Sequence, residues 1–123
     1  MGGFSMMARE TWHEQTKDSL VPGKNTAHCF ELYFEESELD DFVAEMQKNT
    51  EVRMFQALTE APWGQRTIRF LDPDGHVIEV SEPMQEVVLR LLASGMTEQE
   101  ASEKTMMPLE FVQKCAAERG KAE

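Results

Sequence analysis

Two glutamates are the side chains best placed to do chemistry. Phe30, Leu32 and Phe34 alternate with Glu31, Tyr33 and Glu35, the period of a strand with one buried face. Around residue 80 the same alternation sets Ile78 and Val80 against Val77 and Glu79. If a helix covers Phe30, Leu32, Phe34, Ile78 and Val80, then Glu31, Tyr33, Glu35, Val77 and Glu79 share the opposite, free face of one sheet. Two carboxylates held close there in partial burial must share a proton, bind a cation or stay hydrated.

The elements that must position them are legible from Thr26 onward. Ser37 is placed to cap a helix, with Asp40 reaching back to it, and Leu39, Phe42, Val43 and Met46 follow at helical spacing. Strands are expected over Val52 to Leu58, Gln65 to Leu71 and His76 to Val80, the last two closed into an antiparallel hairpin by Asp72-Pro73-Asp74-Gly75. Pro83 breaks the last strand. Met84, Val87, Val88, Leu91 and Leu92 then form an apolar stripe that stops before Gly95. Thr97 and Glu100 form a capping box for a helix to about Lys104, and Pro108 opens a last helix with Leu109, Val112 and Ala116 on one face. The expected fold class is α+β: a βαβββ module over 26–83 followed by a three-helix extension over 84–123. Residues 1–25 read as a short strand (GGFSMMA), a short helix (RETWHEQTKD) and a Pro-Gly turn (SLVPGKN).

At 123 residues the chain has room for one core, and 23 acidic against 12 basic side chains leave a formal charge of −11. That field repels phosphate backbones and anionic lipid, which disfavours nucleic acid and membrane surfaces as partners. The two cysteines, Cys29 and Cys115, have no metal-ligand spacing and no disulfide framework. With neither an export signal at the start nor an apolar run long enough to span a bilayer, a cytoplasmic location is expected.

The run PWGQRTIRFLDPDGHVIEVSEP, Pro62 to Pro83, resembles the closing hairpin of the vicinal oxygen chelate superfamily, which includes glyoxalase I, extradiol dioxygenases and bleomycin-binding proteins. The resemblance continues upstream through ELYFEESELDDFVAEM. It implies a βαβββ glyoxalase-like module in which Glu79 stands at the position of a metal ligand. The family's first strand commonly opens with a ligating histidine, and here Glu31 occupies that position. His28 lies three residues earlier, with its side chain reversed relative to Glu31, and is read as structural or exposed. Members usually pair two modules into one cup. This chain holds one, plus what looks like a remnant of a preceding one over 1–25, so a homodimer or higher oligomer is expected to complete the cup. Two copies meeting at Glu31 and Glu79 would give an oxygen-rich site for magnesium, manganese or nickel more than for zinc. If the chain is instead a truncated member, an ancestral metal site has lost ligands.

The resemblance also implies that Trp63, next to Gly64, borders a substrate pocket, with packing as the competing role. Of Arg66 and Arg69 only one can face the cup, and Arg69 is favoured, as an anion contact or a salt-bridge partner of a glutamate. Tyr33 shares the face of Glu31 and joins the substrate-binding candidates. His76 is expected at the exposed start of a strand, and Cys29 as an inert core thiol. The tail, LLASGMTEQEASEKTMMPLEFVQK, resembles a helix-turn-helix, but five basic against seven acidic residues over 85–123 favour packing over DNA. Together these residues and the resemblance imply a small-molecule-binding protein. As a metal-dependent lyase, isomerase or dioxygenase, it would use Glu79 as a ligand and Glu31 as a second ligand or proton-transfer base. As a non-catalytic module, it would sequester an apolar or cationic ligand.

Overall fold

A computed structural model describes residues 9–16 and 30–122. The elements are α1 (Arg9–Thr16), β1 (Glu31–Glu35), α2 (Leu39–Lys48), β2 (Arg53–Glu60), β3 (Arg66–Leu71), β4 (Val77–Ser81), α3 (Met84–Ala93), α4 (Glu98–Thr105) and α5 (Leu109–Ala122). The strands make one sheet in the order β1-β4-β3-β2, with β1 parallel to β4 and the other pairs antiparallel. This is the expected α+β arrangement, βαβββ followed by helices. The GGFSMMA strand, the SLVPGKN turn, His28 and Cys29 lie outside the described residues.

Helix α2 packs on the sheet because Leu39 and Val43 sit on its inner stripe, buried against Ile68 and Val80 with Phe42, Phe70 and Ile78 around them. Each such aliphatic side chain contributes roughly 1.5–3 kcal/mol by leaving water. The cover stops short of the sheet edge. Phe30, Leu32 and Phe34, expected under the helix, are 54%, 47% and 53% exposed, because β1 is the outer strand and α2 lies over the inner ones. Ser37 does not cap α2. Glu38 is the N-cap residue, without a side-chain bond, and the Glu36 carboxylate accepts from the Glu38 amide at 3.0 Å, while Asp40 turns to Arg66, also at 3.0 Å.

The β3–β4 hairpin turns where expected. Gly75 takes φ +88°, a conformation that glycine adopts without steric penalty, and Asp72 Oδ1 accepts from the amides of Asp74 (2.9 Å) and His76 (2.8 Å). His76 is half-buried rather than exposed, since its Nδ1 lies 3.1 Å from Asp72 Oδ2.

Helices α3, α4 and α5 close around Val87, Val88, Leu91, Ala101, Val112 and Cys115. The Thr97–Glu100 capping box is present on α4. On α5 the buried face is Val112 and Cys115, while Leu109, expected on that face, is 36% exposed. Among the described residues no helix is long and apolar enough to cross a membrane.

Candidate functional site: a polar row and a methionine-walled pocket

Strand register puts four side chains from four strands in one row: Tyr33 on β1 opposite Glu79 on β4, Glu79 opposite Arg69 on β3, and Arg69 opposite Gln56 on β2. Glu31 sits two residues before Tyr33 on β1, on the same face. The face is therefore the one that side-chain alternation assigns to Glu31, Tyr33 and Glu79, and the two glutamates project from adjacent strands. Gln56 reaches it because β2 carries register shifts on either side of that residue, which break simple alternation.

Arg69 is the centre of this row and is only 4% exposed. Its Nε donates to Glu31 Oε2 at 3.1 Å, its Nη1 to Gln56 Oε1 at 2.5 Å and its Nη2 to Glu79 Oε1. The second oxygen of Glu79 accepts from the Ser81 hydroxyl at 2.7 Å, and Ser81 Oγ lies 2.5 Å from Thr67 Oγ1. The face is not left free at this end. Trp12 of α1 lies over the guanidinium, 5.4 Å from Cζ to ring centroid, and Gln56 Nε2 donates to the Gln15 carbonyl at 2.7 Å. Two carboxylates meet one guanidinium, so one negative charge is in excess. Burial, then the charge of Glu79, pushes the Glu31 carboxyl up to about 7 against the pull of Arg69.

Tyr33 leads from this row into a pocket of about 280 Å³ lined by Tyr33, Trp63, Gln65, Met84, Thr105, Met106 and Met107. Gln65 organises the sheet side of it. Its Nε2 donates to the Tyr33 hydroxyl at 2.9 Å and to the Glu82 carbonyl at 3.0 Å, and its Oε1 accepts from Trp63 Nε1 at 2.9 Å. Burial first, with the charges of Glu35 and Glu79, raises the Tyr33 phenol to about 12 although Gln65 donates to it; the phenol therefore keeps its proton at any physiological pH. The other wall comes from the helical extension. The α4–α5 turn is pinned by the Ser102 hydroxyl donating to the Met107 carbonyl (2.7 Å) and by Thr105 Oγ1 donating to the Ala101 carbonyl (2.7 Å). Between those anchors Met106 is held at φ +59° and 73% exposed.

The loop carrying Trp63 is fastened to the same extension. Gly64 has φ +89°, and a Cβ there would lie 3.3 Å from Val87 Cγ1, so any other residue would be strained and would press on the helix. Trp63 and Tyr33 thus meet in one pocket, while Arg69 stands outside it as a salt-bridge partner of both glutamates. Sequence reasoning passed over Gln65, Gln56, Trp12 and the three methionines. The Trp-Gly-Gln run was the one available signal, for Gln65.

A divalent ion does not fit between Glu31 and Glu79 as they stand, because the guanidinium fills that space and supplies the positive charge. Among the described residues the group of three side chains that could hold a metal is Asp72, Asp74 and His76 in the hairpin turn, their ligand atoms within 4.8 Å of one another. Asp72 there already serves the turn amides and the His76 ring.

A four-stranded βαβββ sheet with a polar row on the face away from its crossover helix defines a class, the glyoxalase-like module. The family model that matches is described as a glyoxalase-like domain and spans residues 1–85. The chain belongs to that family, and to the vicinal oxygen chelate superfamily that Pro62 to Pro83 resembles. Among solved structures it is similar to a protein of unknown function from Agrobacterium tumefaciens str. C58, at 32% identity and TM-score 0.42 over 61% of this chain and 57% of that one. It is also similar to TioX from Micromonospora sp. ML1, at 22% identity and TM-score 0.41 over 53% and 52%. The chain thus spans a little over half the length of either. No curated protein matches it.

Proposed function

We propose that this protein binds a compact, uncharged aromatic molecule in the Tyr33–Trp63 pocket, as a ligand-holding module. The observation that carries the reading is the pocket itself. An indole and three thioethers offer apolar surface, and one phenol, held protonated, offers a hydrogen bond. At about 280 Å³ the space lies just under the range of drug-sized sites, which suits one or two fused rings. Glu35 and Glu79 beside Tyr33 disfavour an anionic ligand, and a neutral carbonyl would take the phenolic proton in place of the Glu35 carboxylate that bonds it in the free protein.

The cup is completed by a second copy. Phe30, Leu32 and Phe34 leave an apolar strip on the α2 side of the outer strand, and edge-to-edge pairing of β1 in two copies would cover it while continuing the opposite face, which carries Tyr33, into the second sheet. In this organisation 26–83 is the binding module and 84–123 its outer wall.

Coumarin, a neutral bicyclic lactone, is a direct probe. In a protein labelled at its methionine methyls, titration should shift Met84, Met106 and Met107 saturably, and Tyr33→Phe should weaken binding roughly 5-fold through one lost hydrogen bond. If millimolar coumarin and its hydroxylated analogues leave those methyls unmoved, the reading fails.

Glu31 supports a second reading. A carboxyl near 7 is suited to proton transfer at neutral pH, and it lies two residues along β1 from Tyr33 on the same face. An isomerase or lyase would use Glu31 as base on a ligand held in the pocket. It would show as proton exchange at an acidic carbon of a bound ligand, abolished in Glu31→Gln.

A further inference from the structure

We infer that Arg69 is a resident cation: its guanidinium holds the position between Glu31 and Glu79 that a divalent ion would otherwise take, and its removal uncovers a latent metal site. The charge pattern supports this. Glu79 is 6% exposed and Arg69 4%, so an unpaired carboxylate at this depth would be strongly unfavourable and must take up a proton or a cation. The guanidinium meets that need more completely than a point charge. Each of its three nitrogens donates to a different strand, to Glu31 on β1, Glu79 on β4 and Gln56 on β2, and its face is covered by Trp12.

Three of the four carboxylate oxygens are already engaged. Glu31 Oε2 and Glu79 Oε1 accept from the guanidinium, and Glu79 Oε2 from Ser81. A dication close enough to bind these oxygens would overlap the guanidinium and be repelled by it. No third carboxylate, histidine or thiol joins the pair among the described residues.

Take the guanidinium away and the same residues change character. Glu31, Glu79 and the Gln56 carbonyl would surround a vacated space with oxygen donors, and the Ser81 and Thr67 hydroxyls lie behind. An all-oxygen set of this kind suits manganese, magnesium or calcium. The inference stands apart from the ligand reading above, because its tests involve neither coumarin nor the methionine pocket.

Thermal melting and manganese line broadening test it. The wild-type melting temperature should move less than about 1 °C with millimolar manganese, magnesium or calcium, and the Trp12 indole signal should stay sharp. Broadening confined to residues 72–76 of the wild type would place manganese in the hairpin turn and leave the inference standing. Arg69→Ala should melt roughly 10 °C lower without metal, regain at least half of that with manganese, and show broadening at Trp12 and Ser81. Glu79→Gln added to Arg69→Ala should abolish the recovery. If Arg69→Ala fails to fold without metal, then Arg69→Met with Glu31→Gln and Glu79→Gln should fold, since the charge demand is gone. The inference is overturned if manganese broadens Trp12 in the wild type. It is equally overturned if Arg69→Ala, or the refolded variant in manganese, shows no metal response beyond 72–76, or if the neutral triple variant is also unfolded.

Discussion

Arg90 on the first helix of the extension donates from Nη1 to Glu82 Oε2 at 2.6 Å, although Glu82 is only 2% exposed. The same carboxylate accepts from the Arg66 amide at 2.8 Å, and Arg90 Nη2 donates to the Gly64 carbonyl at 2.5 Å. One ion pair therefore fastens the last strand, the Trp63 loop and the helical extension to each other. The two walls of the pocket are held in register by it.

Glu82→Ala should destabilise the protein by about 1–3 kcal/mol, since it takes a partner from the half-exposed Arg90 and leaves the Arg66 amide unsatisfied. Urea unfolding measures the loss. Burial works against the charge of Glu82, but Arg90 and the Arg66 amide together outweigh it and hold its carboxyl below the ordinary 4.5. Its contribution is therefore present above that value and lost as pH falls through the lower, folded one. Glu82→Gln should flatten the acid limb of the stability curve. An acid limb unchanged in that variant would remove Glu82 from the account.

Glu31 gives the opposite slope. Its folded carboxyl stands near 7 against 4.5 unfolded, so the native state holds the proton longer than the unfolded chain. Its stabilising effect is complete below 4.5 and is lost as pH rises through 7, by roughly 3 kcal/mol in all. Unfolding free energies at pH 5 and pH 8 should differ by about that amount in the wild type. In Glu31→Gln the difference should shrink, with the gain appearing at pH 8.

Met106 joins backbone strain to the pocket. A residue with a Cβ at φ +59° is disfavoured relative to glycine, and Met106, 73% exposed, contributes little burial in return. Met106→Gly should raise stability by about 0.5–1 kcal/mol in chemical denaturation. It should also weaken coumarin binding, because one thioether wall is lost. Greater stability with undiminished binding would mean that Met106 sits at the rim without touching the ligand.

The legibility of this fold in its sequence divides along physical lines. The Asp72–Gly75 turn and the Thr97–Glu100 cap were readable because backbone conformation there is set by residues within four positions of one another. The common face of Glu31, Tyr33 and Glu79 followed from the two-residue period of a strand. The reading failed where an answer depended on distant chain. Ser37 had the right type to cap α2, but Arg66, far along the sequence, draws Asp40 away from the reciprocal bond. Gln56 was hidden by the register shifts in β2, and the extent of exposure along β1 by the position of that strand at the sheet edge. The methionine wall was the least visible part, since Tyr33 and Met107 meet only after the extension has folded back. Methionines in a helical turn carry no mark of which pocket they will line.

The strip on β1 supplies the last prediction. Phe30, Leu32 and Phe34 stand half-exposed on one side of an edge strand, a surface that monomers seldom leave uncovered. A lysine there adds charge to the edge without disturbing the core under α2, because Leu32 packs with neither Leu39 nor Val43 in the buried cluster. Leu32→Lys should therefore leave the melting temperature of dilute protein nearly unchanged and abolish self-association at tens of micromolar in light scattering. Its effect on coumarin distinguishes two forms of the pocket. If the second copy contributes wall, affinity falls with dissociation; if the pocket is complete in one chain, affinity holds. A wild type that stays monomeric across that concentration range would exclude the shared cup, and the pocket between sheet and extension would then have to serve alone.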